Sequence, residues 1–216
     1  MRKFITMGPQ GCGKGTQAKM LAKDFDLIHI SVGDIFRWHV QNHTKLGAKV
    51  KRIVASGQLV PDELVNDVML ERLDVHDWNY GFLLDGFPRN EVQAVFFLER
   101  YDVDAVILID VPDAVVMERI MSRRLCSNCG LDYNLIFHRP AKEDVCDVCK
   151  GRLVARADDN LDAVRDRLAD YHAKTKPIID LFRRKELVVE VDGVRPALEI
   201  QNEIRRQLGL PSRAAA

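Results

Sequence analysis

The sequence predicts a doubly wound α/β domain on a five-stranded parallel sheet with helices on both faces, and three observations predict it. Short apolar runs alternate with helix-patterned segments along the chain, as suits parallel strands covered on both faces. A glycine-dense turn joins the first strand to the first helix. Pro61, Pro112 and Pro196 each stand beside the start of a helix pattern, where a fixed φ and a missing N–H are tolerated. With 216 residues, 47% of them hydrophobic, the chain can bury one large core and carry a small insertion.

The predicted strands are residues 3–7, 27–30, 81–85, 105–110 and 187–191. Helix patterns fill the intervals at 14–25, 62–73, 91–101, 113–124, 160–182 and 196–208. In the first of these Ala18, Leu21, Ala22 and Phe25 line one helix face. Residues 211–216 have no periodicity and are expected to fray. The formal net charge is zero, so no global field draws the molecule to nucleic acid or a membrane, and any phosphate affinity must be local. The opening residues run into a strand too short for a signal sequence, and no apolar run approaches membrane-spanning length. The expectation is a cytoplasmic protein.

The turn reads Gly8-Pro9-Gln10-Gly11-Cys12-Gly13-Lys14-Gly15-Thr16. Its glycines let successive N–H groups converge on anionic oxygens, and Lys14 adds charge where the helix dipole already favours anions. A P-loop usually has Ser or Thr directly after the lysine to hold Mg²⁺; here Gly15 takes that place. A subfamily other than the motor and GTPase types is indicated. Cys12 reads as a small filler within the loop.

Residues 125–155 break the alternation and contain Cys126-Ser127-Asn128-Cys129 and, sixteen residues later, Cys146-Asp147-Val148-Cys149. Two such pairs are the ligand set of a structural zinc site, and a segment this short needs a staple to be rigid. Disulfides or free thiols are the plainer alternatives, which a reducing compartment and the spacing oppose. Iron or cobalt also binds four thiolates; zinc is the default.

Arginines recur near these features. Arg119 and Arg123 are four apart on the helix pattern 113–124 and so share a face. Arg156 follows the cysteine segment, Arg167 lies further on, and Arg37 and Arg89 follow Ser31-Val32-Gly33-Asp34 and Asp85-Gly86-Phe87-Pro88. Taken singly they are ordinary surface residues; together they suit a phosphoryl group in flight, whose equatorial charge guanidinium forks stabilise.

The glycine loop, Ser31-Val32-Gly33-Asp34, the stretch from Gly57 to Leu64, and the run from Gly81 to Arg89 together resemble the adenylate kinases, within the nucleoside monophosphate kinases. The resemblance runs from Arg2 to about Leu208 and includes Arg156-Ala157-Asp158-Asp159-Asn160 and a four-cysteine lid of the long bacterial type. It implies a P-loop NTPase fold with core segments 1–30, 61–125 and 156–216, a helical monophosphate-binding insertion at 31–60 and a metal-binding β lid at 126–155. It implies reversible transfer from ATP to AMP giving two ADP, with Mg²⁺, by a monomer.

The resemblance also implies roles. Gly11, Cys12, Gly13, Lys14, Gly15, Thr16, Arg119, Arg123, Tyr133 and Arg195 would bind ATP. Val32, Arg37, Gln58, Leu59, Val60, Gly86, Arg89, Gln93, Arg156 and Arg167 would bind AMP, with Gln93 reading the adenine edge. Lys14, Arg89, Arg123, Arg156 and Arg167 would carry catalysis, and Asp85 would organise Mg²⁺ through water. The acceptor oxygen is already anionic, so no catalytic base is expected. Many members have Thr where this chain has Val32, and Asn90 is similar to the pyrimidine monophosphate kinases, so a UMP or CMP kinase is the alternative. A P-loop hydrolase and a zinc-ribbon nucleic-acid module are more distant ones; the cysteine segment carries acidic as well as basic residues, unlike the basic surface such modules present.

Overall fold

The computed structural model describes residues 2–212 except Gly57, Trp78, Asn79 and Ala157. The expected fray at 213–216 lies outside the described residues, as do Gly57 and Ala157 of the quoted motifs. In chain order the molecule opens with β1 (Lys3–Met7), α1 (Lys14–Phe25) and β2 (Ile28–Ser31). Helices α2 (Val32–Gln41), α3 (Lys45–Ser56) and α4 (Asp62–Asp74) precede β3 (Phe82–Asp85), α5 (Glu91–Leu98), β4 (Ala105–Asp110) and α6 (Asp113–Met121). Next come β5 (Arg123–Cys126), β6 (Asp132–Asn134) and β7 (Leu153–Val154), which form their own antiparallel sheet in the order β6-β5-β7. The chain returns through α7 (Leu161–Asp170), a π-helical turn at Tyr171–Thr175, α8 (Lys176–Arg184), β8 (Val188–Asp192) and α9 (Ala197–Gln207).

The main sheet is parallel in the order β2-β3-β1-β4-β8. Alternation along its strands sorts the apolar residues into two cores. Ile5, Met7, Leu84, Val106 and Leu108 face α4, α5 and α8 on one side. Phe4, Leu83, Ile107 and Ile109 face α1, α6, α7 and α9 on the other. The chain leaves β1 to one side for β2 and β3 and crosses to the other for β4 and β8. That reversal opens a crevice at the carboxyl ends of the strands, where open α/β sheets hold ligands. Thr6 and Ser31 both pair with Asp85 there.

Strand expectations hold to within a residue or so, while three helices differ. Helix α6 stops at Met121 rather than 124 because Ser122 Oγ donates to the carbonyls of Glu118 and Arg119 and Arg123 pairs with Asn134 in the small sheet. Arg119 and Arg123 therefore do not share a helix face. Helix α5 closes at Leu98 rather than 101. The single helix expected over 160–182 widens into the π-helical turn ahead of Pro177, whose missing N–H and bulky ring cannot continue an ordinary turn.

Candidate functional site

The glycine loop hangs on the end of β1, and at Gly8 and Gly11 its backbone leaves no room for a side chain. A Cβ at Gly8 would lie 2.5 Å from the Ile109 carbonyl oxygen of β4. Gly13 caps α1 at φ 100° without a side-chain hydrogen bond, so no side-chain cap competes for the first-turn N–H groups, and the positive end of the helix dipole faces the crevice. Lys14 Nζ donates to the Pro9 carbonyl at 3.1 Å. A Cβ at Gly15 would come within 3.1 Å of Asp85 Oδ2; glycine lets the helix start rest against that carboxylate. Thr16 is exposed at the rim.

Cys12 points the other way. Its thiol is buried in the core, where burial pushes its pKa up; its N–H donates to Pro9 O and its carbonyl accepts from Arg119. Asp85 is buried at the end of β3, with Thr6 Oγ1 3.4 Å from Oδ1 and His29 Nε2 3.8 Å from Oδ2. Burial opposes its ionisation, but His29 and the Lys14 charge outweigh burial and hold the carboxyl below its ordinary range.

A cleft of about 900 Å³ runs from this loop between helices α2 and α3 and the small sheet. Every residue expected to touch a nucleotide lines it: the loop from Gly11 to Thr16, Arg119, Arg123, Tyr133 and Arg195, then Val32, Arg37, Gln58, Leu59, Val60, Gly86, Arg89 and Gln93, and Asp85, Arg156 and Arg167. Arg123 grips Asp159 through Nε, at 2.8 Å, and Nη2. Arg156 meets Asp132 at 2.5 Å, Arg167 meets Asp158 at 2.7 Å, and Arg37 meets Asp34. Arg89 donates Nε–H to Gly86 O at 2.8 Å and has no carboxylate partner among the described residues. Burial and the neighbouring Arg167 lower its pKa to about 10, which leaves it charged at neutral pH. Burial likewise lowers Arg156, whose other neighbours include Arg123 and Arg37. Burial also works against Arg123, yet the paired Asp159 prevails and raises it.

The small sheet carries the cysteines. Cys126 and Cys149 sulfurs are 3.3 Å apart, Cys129 and Cys146 sulfurs 3.7 Å, and all four lie within 4.8 Å of one another as free thiols. A tetrahedron with metal–sulfur bonds of about 2.3 Å has edges of about 3.8 Å. The two pairs repeat one knuckle: Gly130 N–H donates to Cys126 O and Lys150 N–H to Cys146 O, each at 3.0 Å, with both residues at positive φ. The donor set fits a tetrahedral metal. Tyr133 reaches the cleft wall, but its hydroxyl faces inward, accepting the Asp147 N–H at 2.8 Å and approaching Cys146 at 3.5 Å.

Sequence reasoning missed several neighbours. Phe137 is an exposed ring in the segment between β6 and β7, with the Arg119 guanidinium 5.2 Å from its centre. Gln10 accepts from Arg167 at 2.8 Å, a role its place inside the glycine loop could have suggested. Thr175, in the π-helical turn, donates to the Arg89 carbonyl at 2.8 Å. Asp132 gave no signal, because its pairing with Arg156 exists only once the small sheet folds back on the core.

A phosphate-cradling loop at the switch point of a parallel sheet, facing a ring of arginines beside a small four-cysteine sheet, defines a P-loop phosphotransferase. The family model described as adenylate kinase matches residues 6–187. The chain is 44% identical to the adenylate kinase of Caldicellulosiruptor bescii over 213 residues, covering 96% of this chain and 99% of that protein. It is 43% identical to that of Clostridium tetani, over 95% of this chain and 98% of the other, and 42% identical to that of Thermoanaerobacter sp. strain X514, over 96% and 98%. The chain belongs to the adenylate kinase family.

Proposed function

We propose that the protein catalyses reversible transfer of the terminal phosphoryl group of ATP to AMP, giving two ADP. The observation that carries this reading is the single cleft: a helix N-terminus free of any side-chain cap and Lys14 at one place, seven arginines along its walls, and no histidine or carboxylate base required. The loop amides and Lys14 hold the phosphates of ATP, with its base near Arg119, Phe137 and Arg195. Arg37 and Arg89 hold the phosphate of AMP, with its base near Val32, Gln58, Leu59, Val60 and Gln93. Arg123, Arg156 and Arg167 exchange their carboxylate partners for the oxygens of the transferring group. Charge is thereby neutralised as it shifts, and two anions that repel each other are kept aligned.

Asp85 would hold Mg²⁺ through water, as a buried ionised carboxylate beside the phosphate cradle suits that hydrated cation. When bound, the ion neutralises charge on the phosphates. Zinc is the proposed occupant of the four thiols, where it would keep residues 126–155 a rigid lid over a core of 1–30, 61–125 and 156–216, with 31–60 as the monophosphate-binding insertion. Closure of that lid keeps water from the γ-phosphate. A reducing cytoplasm suits the four reduced thiols, and the protein works there as a monomer. Initial rates with AMP, CMP and UMP as acceptors test the reading: AMP is strongly preferred, and preference for a pyrimidine would overturn it.

A further inference from the structure

Gln93 is held at both ends of its amide by partners that each tolerate one orientation. Its Oε1 accepts the backbone N–H of Arg89 at 2.9 Å, and its Nε2 donates to Asp62 Oδ1 at 2.7 Å. A peptide N–H can only donate and an ionised carboxylate can only accept. Turning the amide over would set donor against donor at Arg89 and oxygen against oxygen at Asp62. Asn90 braces the arrangement: its Nδ2 donates to the same Asp62 oxygen at 2.8 Å, and its Oδ1 caps α5 by accepting the Gln93 N–H at 3.0 Å. Gln93 lines the cleft with only 2% of its surface exposed, whereas Asp62 stands behind it, outside the cleft wall.

We propose that Asp62 is a positioning residue that sets the choice of purine by locking the Gln93 amide. This rests on the reading of Gln93 as the side chain that meets the acceptor base. With one N–H given to Asp62 and one lone pair given to Arg89, the amide has one N–H and one lone pair left, in a fixed order. A 6-aminopurine presents an amino donor beside a ring-nitrogen acceptor and matches that order. A 6-oxopurine presents a carbonyl acceptor beside a ring N–H, the reverse. A free glutamine could rotate to serve either; the locked one must give up both internal bonds to do so, leaving buried groups unpaired. Asn90, spent on the helix cap and the carboxylate, is accounted for without any contact to the base.

The test is steady-state kinetics with AMP and inosine monophosphate as acceptors, for the wild type, Asp62→Asn and Gln93→Leu. An asparagine at 62 can turn either oxygen or nitrogen towards Gln93, which removes Asp62's half of the lock and leaves only the Arg89 N–H to oppose the turned amide. The ratio of kcat/KM for AMP to that for inosine monophosphate should then fall by about tenfold, one of the two opposing contacts being relieved, through a gain with the oxopurine. A purely structural lesion would lower both acceptors together. An unchanged ratio, with Gln93→Leu raising KM for AMP, overturns the lock while sparing the base-reading role of Gln93. A Gln93→Leu enzyme with unaltered KM for AMP overturns that role and the lock with it. If Asp62→Asn does not fold, Asp62→Ser carries the same expectation, and an unchanged ratio there is equally fatal.

Discussion

At the scale of single residues, the cleft pairs most of its arginines with a carboxylate. Asp159, Asp158, Asp132 and Asp34 hold their guanidinium partners in place; among the described residues Lys14, Arg89 and Arg119 donate only to carbonyls. Lys14 acts mainly on charge that develops during transfer, so Lys14→Ala should lower kcat by roughly two to three orders of magnitude with the melting temperature unchanged. Rapid-quench rates beside a thermal melt check this. Arg123→Lys keeps the charge but loses the fork, and should lower kcat more than it alters KM for either nucleotide in steady-state assays. The glycine loop and the six arginines were singled out in the sequence by residue type and spacing, and Asp85 by the family resemblance. The partners of the arginines were less so: Asp132 meets Arg156 across 24 residues and Gln10 meets Arg167 across 157, contacts that no local pattern encodes.

At the scale of elements, strands were read closely because buried parallel strands announce themselves as short apolar runs. Helix ends were not. The end of α6 depends on a serine that folds back on two carbonyls and on a strand partner eleven residues on, and the π-helical turn depends on how Pro177 is accommodated. The four-thiol sheet has a core of only Cys126, Tyr133, Cys146 and Leu153, too small to be rigid alone. Cys129→Ser should therefore lower bound metal and the melting temperature while leaving part of the activity, since the thiols do not line the cleft. Metal analysis, calorimetry and an activity assay on one preparation decide it. Loss of all activity from a folded protein would instead put the metal in the chemistry.

At the scale of the whole molecule, a balanced net charge hides strong local fields. Asp34, Asp85 and Asp158 are each disfavoured by burial yet held below the ordinary carboxyl range: Asp34 and Asp158 by the arginines they pair with, Asp85 by His29 and Lys14. The folded state thus binds fewer protons than the unfolded chain. Their contribution to stability is complete above the unfolded value near about pH 4 and is lost as pH falls through their depressed values. Melting temperature should be flat from neutral pH to about that point and then drop, with a shallower drop in Asp158→Asn. For the proposed transfer, one cleft must receive two nucleotides end to end. Isothermal titration with two adenosines joined through a chain of five phosphates measures this directly. One molecule should bind per chain and displace both ATP and AMP; absence of binding, or displacement of only one of them, would contradict it.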